Sequence, residues 1–76
     1  MPLINVKVME NVLTQDQKAE IAKQVTETCA SVIGEPAREL TWVIVDDIAS
    51  GALSIGGSQI TTEAVQEILA AEPVGV

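Results

Sequence analysis

The fold is decided by an alternating stretch near the start of the chain, Leu3-Ile4-Asn5-Val6-Lys7-Val8-Met9. The apolar side chains of Ile4, Val6 and Val8 share one side of an extended segment, and the residues between them are polar. This period of two residues predicts a β-strand with one face buried and the other exposed.

A helical pattern follows the strand. Thr14 and, three residues later, Gln17 form the capping-box sequence in which each side chain satisfies a free backbone N–H at a helix start. Gly34 is typical of a helix end. We therefore expect a helix from about Gln15 to Ile33. Its apolar side is formed by residues that recur at helical spacing: Ile21, Val25, Cys29 and Val32.

A second apolar segment predicts the next strand. Leu40–Val45 is rich in β-branched residues and contains Trp42, and Asp46 and Asp47 are expected to end it. A strand, a long helix and a second strand predict a β-α-β unit with parallel strands and a right-handed crossover. The glycine-containing stretch Ser50–Ser58 predicts tight turns and a short C-terminal hairpin.

The end of the chain predicts a short last helix. It is expected to begin at Thr61-Thr62-Glu63 and to end at Pro73, with frayed residues Val74–Val76 after it. The fold class is thus α+β, in a single domain spanning residues 1–76, because 76 residues allow one domain at most.

Small size and apolar composition predict an oligomer. A domain of this length buries only about 60% of the surface of its unfolded chain, yet 47% of the residues are hydrophobic. The only cysteine, Cys29, cannot form an internal disulfide. Two parallel strands also leave open sheet edges, which invite pairing with another chain.

Composition also narrows the classes of partner and ligand. The formal net charge of −7 leaves no basic patch, so we expect neither nucleic acid nor an anionic membrane as a partner. No apolar run is long enough to span a membrane, and no signal peptide is visible, so the expected location is cytoplasmic. No metal site is expected, because the chain lacks histidine and the adjacent Asp46 and Asp47 point to opposite faces of a strand.

Pro2 is the first candidate for chemistry. An initiator methionine is normally removed when the next residue is small, which would turn Pro2 into an N-terminal secondary amine. An α-amino group has an ordinary pKa of about 7.7–8.0, and burial or a nearby cation lowers the pKa of an amine. Such an amine suits a general base near neutral pH. The alternative is that Pro2 only follows from N-terminal processing and starts an edge strand.

Arg38, the only arginine, is the second candidate. Its guanidinium suits a clamp for a substrate carboxylate, and the alternative is a surface salt bridge with the neighbouring Glu35 or Glu39. Trp42, the only aromatic residue, is interpreted as core or interface, or as the wall of a pocket.

The remaining cations and the thiol are expected to have structural roles. Lys18 and Lys23 are placed on the solvent side of the helix. Lys7 faces away from the apolar side of the first strand, which predicts a surface or interface position. Cys29 is expected to be a buried structural thiol, because no base is available to ionise it.

Taken in order, four segments resemble the 4-oxalocrotonate tautomerase family. The resemblance covers roughly Pro2 to Thr62, and its specificity lies in the order and spacing of the segments rather than in any one of them. The segments are Met1-Pro2-Leu3-Ile4-Asn5-Val6-Lys7-Val8, Thr14-Gln15-Asp16-Gln17-Lys18, Arg38-Glu39-Leu40-Thr41-Trp42-Val43-Ile44-Val45 and Ile55-Gly56-Gly57.

The resemblance implies a β-α-β tautomerase fold assembled into homohexamers, as trimers of dimers. It implies that the N-terminal proline, Pro2, shuttles a proton between carbon atoms of an enol or dienol acid to give the conjugated keto acid. In the family, arginines bind the substrate carboxylate and stabilise the developing enolate oxygen, and a hydrophobic wall lines the pocket. Neither a cofactor nor a metal is used.

The sequence departs from the best-studied members of the family at three positions. Glu10–Leu13, after the first strand, carries no arginine; Trp42 stands where a second arginine occurs; and Leu53 replaces an aromatic pocket residue. From the resemblance we expect Pro2 to be the catalytic base. We expect Arg38, Trp42 and Leu53 to bind a small carboxylic acid.

Two other interpretations stay open. A dehalogenase or hydratase-like member of the superfamily would keep Pro2 protonated as an acid while Asp46 or Asp47 activates water. A non-catalytic subunit would keep the assembly surface and join an arginine-bearing partner in a hetero-oligomer.

Overall fold

The computed structural model of the chain describes residues 1–71. It confirms the β-α-β unit, the hairpin and the short last helix, whereas the expected stop at Pro73 and the end Val74–Val76 lie outside the described residues. The elements are β1 (Leu3–Met9), α1 (Gln15–Ile33), a 3-10 helix (Glu35–Leu40), β2 (Trp42–Ile48), β3 (Leu53–Ile55), β4 (Ser58–Ile60) and α2 (Thr62–Ala71).

Strands β1 and β2 are parallel, and their register runs from the pair Leu3 and Trp42 to the pair Met9 and Ile48. The predicted bounds of the second strand were wrong at both ends. Leu40 belongs to the 3-10 helix, which carries a proline in its first turn and so begins with a fixed φ. At the other end β2 continues beyond Val45 for as long as β1 offers a partner.

Two aspartates therefore lie inside β2 instead of ending it, and each is compensated by a polar neighbour. Asp46 Oδ2 accepts hydrogen bonds from Asn5 Nδ2 at 2.9 Å and from Lys7 Nζ at 3.5 Å. Asp47 Oδ1 lies 2.8 Å from Lys18 Nζ. The Lys18 ammonium thus points at the sheet, so the predicted solvent-facing position of this lysine was wrong.

The two faces of the β1–β2 sheet differ in how much of their surface is exposed to solvent. Ile4, Val6 and Val8 are half-buried on the side of α1, as their alternation predicts. The opposite face, which we call the outer face, carries the paired Leu3 and Trp42, whose exposed fractions are 62% and 66%. Large apolar side chains exposed side by side are typical of an interaction site.

Helix α1 starts with the predicted capping box, since the Gln17 N–H donates to Thr14 Oγ1 at 3.1 Å and the Thr14 N–H to Gln17 Oε1 at 2.8 Å. Gly34, at φ +129°, ends the helix in a conformation that side chains disfavour.

The C-terminal end of α1 is exposed: Val32, predicted on the apolar side, is 78% exposed. At about 1.5 Å per residue the helix is about 28 Å long, which exceeds the roughly 23 Å of the strands beneath it.

The hairpin β3–β4 and α2 are attached to the end of β1. Glu10 Oε2 accepts from the Ser50 N–H at 2.7 Å, and the buried hydroxyl of Thr62 donates to the Glu10 carbonyl at 2.9 Å. Ile68 and Leu69 of α2 remain exposed. Neither helix among residues 1–71 is long and apolar enough to cross a membrane.

Candidate active site

The N-terminus is held against the start of β2 by two hydrogen bonds. The Met1 amine donates to the Leu40 carbonyl at 3.0 Å, and the Trp42 N–H donates to the Pro2 carbonyl at 2.9 Å. Pro2 itself is half-buried. The sequence candidate Pro2 is therefore fixed at the N-terminal end of both strands, beside the end of the 3-10 helix.

Arg38 lies in that 3-10 helix, two residues before Leu40, and its guanidinium is occupied by the chain's own carboxylates. The Nε/Nη2 edge donates to Glu35, with Nε–Oε2 at 2.5 Å and Nη2–Oε1 at 3.3 Å. The Nη1/Nη2 edge donates to Glu27 of α1, with Nη2–Oε1 at 3.2 Å. A guanidinium has two edges that can hold a carboxylate with two parallel bonds, and both are filled.

The electrostatics of this Glu27–Arg38–Glu35 cluster follow from its hydrogen bonds. Those from Arg38 hold the pKa of the Glu27 carboxyl below its ordinary value of 4.5, and the charges of Arg38 and Lys23 act in the same direction. The Arg38 hydrogen bond and charge likewise lower the pKa of Glu35. Both carboxylates are therefore ionised at neutral pH, and the cluster carries a net charge of −1.

The sequence predicts only part of this cluster. The pair of Arg38 with Glu35 was among the alternatives, because the two residues are neighbours on one short helix. Glu27 was missed, since it precedes Arg38 by eleven residues and approaches it only through the packing of α1 on the 3-10 helix. A single charged residue on an exposed helix face gives no local signal of such a contact.

Trp42 and Leu53 lie in two separate two-stranded sheets, β1–β2 and β3–β4. The backbone of Trp42 contacts Pro2, while its side chain lies on the outer face. Leu53 pairs with Ile60 at the open end of the hairpin, next to the hydrogen bond from the Gly51 N–H to the Ile60 carbonyl.

The hairpin base is tied to Glu10, which follows Leu3 by seven residues. At about 3.3 Å per residue, this places the hairpin about 23 Å along the strand from the N-terminal end. The three-residue strands of the hairpin are too short to return over that distance. Within one chain the base of the hairpin therefore lies well away from Pro2.

The two aspartates of β2 are also separated from Pro2 within the chain. Asp46 follows Trp42 by four residues, or about 13 Å along a parallel strand. Its carboxylate is bonded to Asn5 and Lys7, as described above. Among residues 1–71, no group of three or more cysteine, aspartate or glutamate residues is placed to hold a metal ion.

Residues 2–63 match the protein family described as "Tautomerase enzyme". The chain belongs to the tautomerase family. The match begins at Pro2, takes in the β-α-β unit and the hairpin, and ends at Glu63 in the first turn of α2.

Individual tautomerase relatives agree with this assignment. A "probable tautomerase" of Dickeya dadantii (strain 3937) is 31% identical over 62 residues, which cover 80% of this chain and 90% of that protein. A "probable tautomerase" of Campylobacter jejuni is 28% identical over 60 residues, covering 79% and 87%. The crystal structure of DmpI from Helicobacter pylori has the same tautomerase fold, with a TM-score of 0.69 at 24% identity, over 78% of this chain and 95% of that one.

Proposed function

We propose that this tautomerase ketonises a small enol or dienol acid, with the secondary amine of Pro2 as the base once Met1 has been removed. The observation that carries the proposal is the fixed, half-buried position of Pro2, whose carbonyl is bonded to the Trp42 N–H. In the neutral form, the Pro2 nitrogen accepts a proton from the enol and returns it to carbon. The reaction then needs no cofactor, and its expected location is the cytoplasm.

We further propose that the working form is an oligomer, a homohexamer built as a trimer of dimers. Exposed apolar side chains on the outer face, the hairpin and α2 support association. The distance between Pro2 and Leu53 within a chain supports a pocket that takes these two residues from different subunits. In such a pocket Trp42 and Leu53 supply apolar wall, and a hydrophobic wall favours an acid with an apolar or conjugated body.

Arg38 is proposed to bind the substrate carboxylate. Because Glu27 and Glu35 fill both of its edges, a substrate can form a paired interaction with Arg38 only by replacing one of them.

The test begins with the intact mass of the purified protein, since a retained Met1 removes the proposed base. Ketonisation of phenylenolpyruvate and of 2-hydroxymuconate is then measured for the demethionylated wild type and for Pro2→Ala. General base catalysis contributes about 10²–10⁴-fold. Because Pro2→Ala keeps a primary amine in place of the secondary amine, its kcat should fall by up to that factor. Equal rates would contradict the proposed base.

A non-catalytic subunit is the second candidate. It is favoured by the occupied guanidinium and by the lack of a cation in Glu10–Leu13. Failure of the demethionylated wild type to turn over either acid would support it, and so would recovery of turnover on mixing with an arginine-bearing tautomerase subunit.

A further inference from the structure

The Glu27–Arg38–Glu35 cluster has a feature that a simple anion clamp lacks, because its two carboxylates come from different elements. Glu27 lies on α1 and Glu35 lies on the 3-10 helix with Arg38. Each carboxylate takes one complete edge of the guanidinium. The one Arg38 N–H left over is on Nη1, and it can give a substrate only a single hydrogen bond.

The main chain of Arg38 is close in sequence to the segment that holds the N-terminus. Arg38 precedes Leu40 by two residues, about 4 Å along a 3-10 helix, and the Leu40 carbonyl accepts the N-terminal amine. The Arg38 carbonyl accepts from the Thr41 N–H at 3.4 Å, and the next residue, Trp42, is bonded to Pro2. The main chain of Arg38 is therefore linked to Pro2 through the segment from Leu40 to Trp42.

We infer that Glu27 and Glu35 are specificity-determining residues, which compete with the substrate carboxylate for Arg38 and so select against highly charged acids. This inference rests on the proposed function of Arg38. The Arg38 and Glu27 side chains are 37% and 50% exposed, and an exposed pair is weak enough to exchange partners. A second carboxylate on the substrate would then be repelled by the net negative charge of the cluster, and no guanidinium edge would be free to bind it.

The experiment compares Glu27→Gln and Glu35→Gln with the matched control Glu39→Gln. Glu39 is adjacent to Arg38 in sequence, and its loss changes the charge equally, but it has no ion pair with Arg38 among residues 1–71. Each variant is titrated with phenylpyruvate by calorimetry, and KM and kcat are measured for phenylenolpyruvate and its methyl ester. Circular dichroism verifies folding, and either cluster variant suffices if the other does not fold.

The expected result is a dissociation constant for phenylpyruvate about two- to fivefold lower in a cluster variant. KM for the acid should fall in parallel, with KM for the ester and all values for Glu39→Gln unchanged. Unchanged binding overturns the inference, as does an equal gain in Glu39→Gln, which would be a bulk charge effect. A loss of kcat on acid and ester alike overturns it too, because the cluster would then act by holding the fold.

The calorimetric arm does not depend on turnover. Tighter phenylpyruvate binding in a cluster variant of a protein that lacks activity would support competition at Arg38 while rejecting the proposed tautomerase reaction. Turnover that depends on Pro2, with unchanged binding in both cluster variants, would support the proposed tautomerase reaction and reject competition at Arg38.

Discussion

The main-chain N–H of Trp42 donates to the carbonyl oxygen of Pro2 over 2.9 Å. Because the bond uses no side-chain atom, it fixes the N-terminal residue to β2 whichever side chain stands at position 42. The indole is free for another role, and it lies beside Leu3 on the exposed outer face.

Trp42→Ala should therefore weaken assembly while it leaves the placement of Pro2 intact. Truncating a tryptophan in the centre of an interface commonly costs more than 1 kcal/mol, so the subunit dissociation constant should rise about tenfold or more. Sedimentation equilibrium over a concentration series measures it. Lys23→Ala, on an exposed face of α1, is the control, and an unchanged constant for Trp42→Ala would exclude the outer face from the interface.

Mixing two inactive variants tests whether the pocket is shared between subunits. After Met1 removal Pro2→Ala carries a primary amine in place of the proposed secondary amine, and Leu53→Asp places a charge in the apolar wall, so each should have much reduced activity alone. After joint unfolding and refolding, mixed oligomers contain some pockets with both native residues, and activity should return well above that of either variant. Activity that stays at the level of the variants would contradict a pocket that takes Pro2 and Leu53 from different subunits.

The Glu27–Arg38–Glu35 cluster predicts a loss of stability in acid. Hydrogen bonds from Arg38 lower the pKa of both carboxyls below 4.5 in the folded chain. A lowered carboxyl pKa stabilises the folded state above the unfolded pKa, and this contribution disappears as the pH falls through the folded value. Thermal unfolding from pH 7 to pH 3 should show wild type above Glu27→Gln at neutral pH and the two converging below about pH 4.5. A constant gap would contradict the linkage.

Thr14→Ala should lower stability by about 1 kcal/mol, because it removes the hydroxyl that caps α1. In a chain of this size that corresponds to a Tm lower by about 4–8 °C. Thr28→Ala is the matched control, since the Thr28 hydroxyl only bonds to the Gln24 carbonyl inside the exposed helix. Equal losses in the two variants would mean that the cap contributes nothing specific.

Thr62→Val should also destabilise the chain, by about 1–3 kcal/mol, because it keeps the shape of a buried side chain and leaves the Glu10 carbonyl without its 2.9 Å partner. Chemical denaturation measures the change. Thr26→Val is the control: its hydroxyl bonds to the Ala22 carbonyl within α1, and that carbonyl is an acceptor for the helix backbone as well. A loss in Thr26→Val as large as in Thr62→Val would contradict the argument.

Local patterns were sufficient to predict most of the fold. Alternation in β1, the Thr14 and Gln17 capping box and Gly34 each depend on neighbours in sequence, and the structure has each of them. The end of β2 could not be predicted in this way. Asp46 looks like a strand terminator until Asn5 and Lys7, some forty residues earlier, are known to lie beside it.

The candidate site shows the same division. Pro2 can be proposed from the sequence alone, because the expected chemistry depends on a place next to the initiator methionine. The hydrogen-bond partners of Arg38 cannot be predicted from the sequence in the same way, because one of them is Glu27 on another helix. Lys18 was misplaced for a similar reason, since helical periodicity alone cannot say that a lysine will reach across to Asp47.

The first residue of the chain gives the structure a consequence for maturation. Met1 is 76% exposed, and its amine is bonded to the Leu40 carbonyl. If Pro2 is the base, its amine exists only after Met1 has been removed, so the newly translated chain is inactive until that cleavage. A fusion partner joined to the N-terminus would then prevent the free amine of Pro2 from forming.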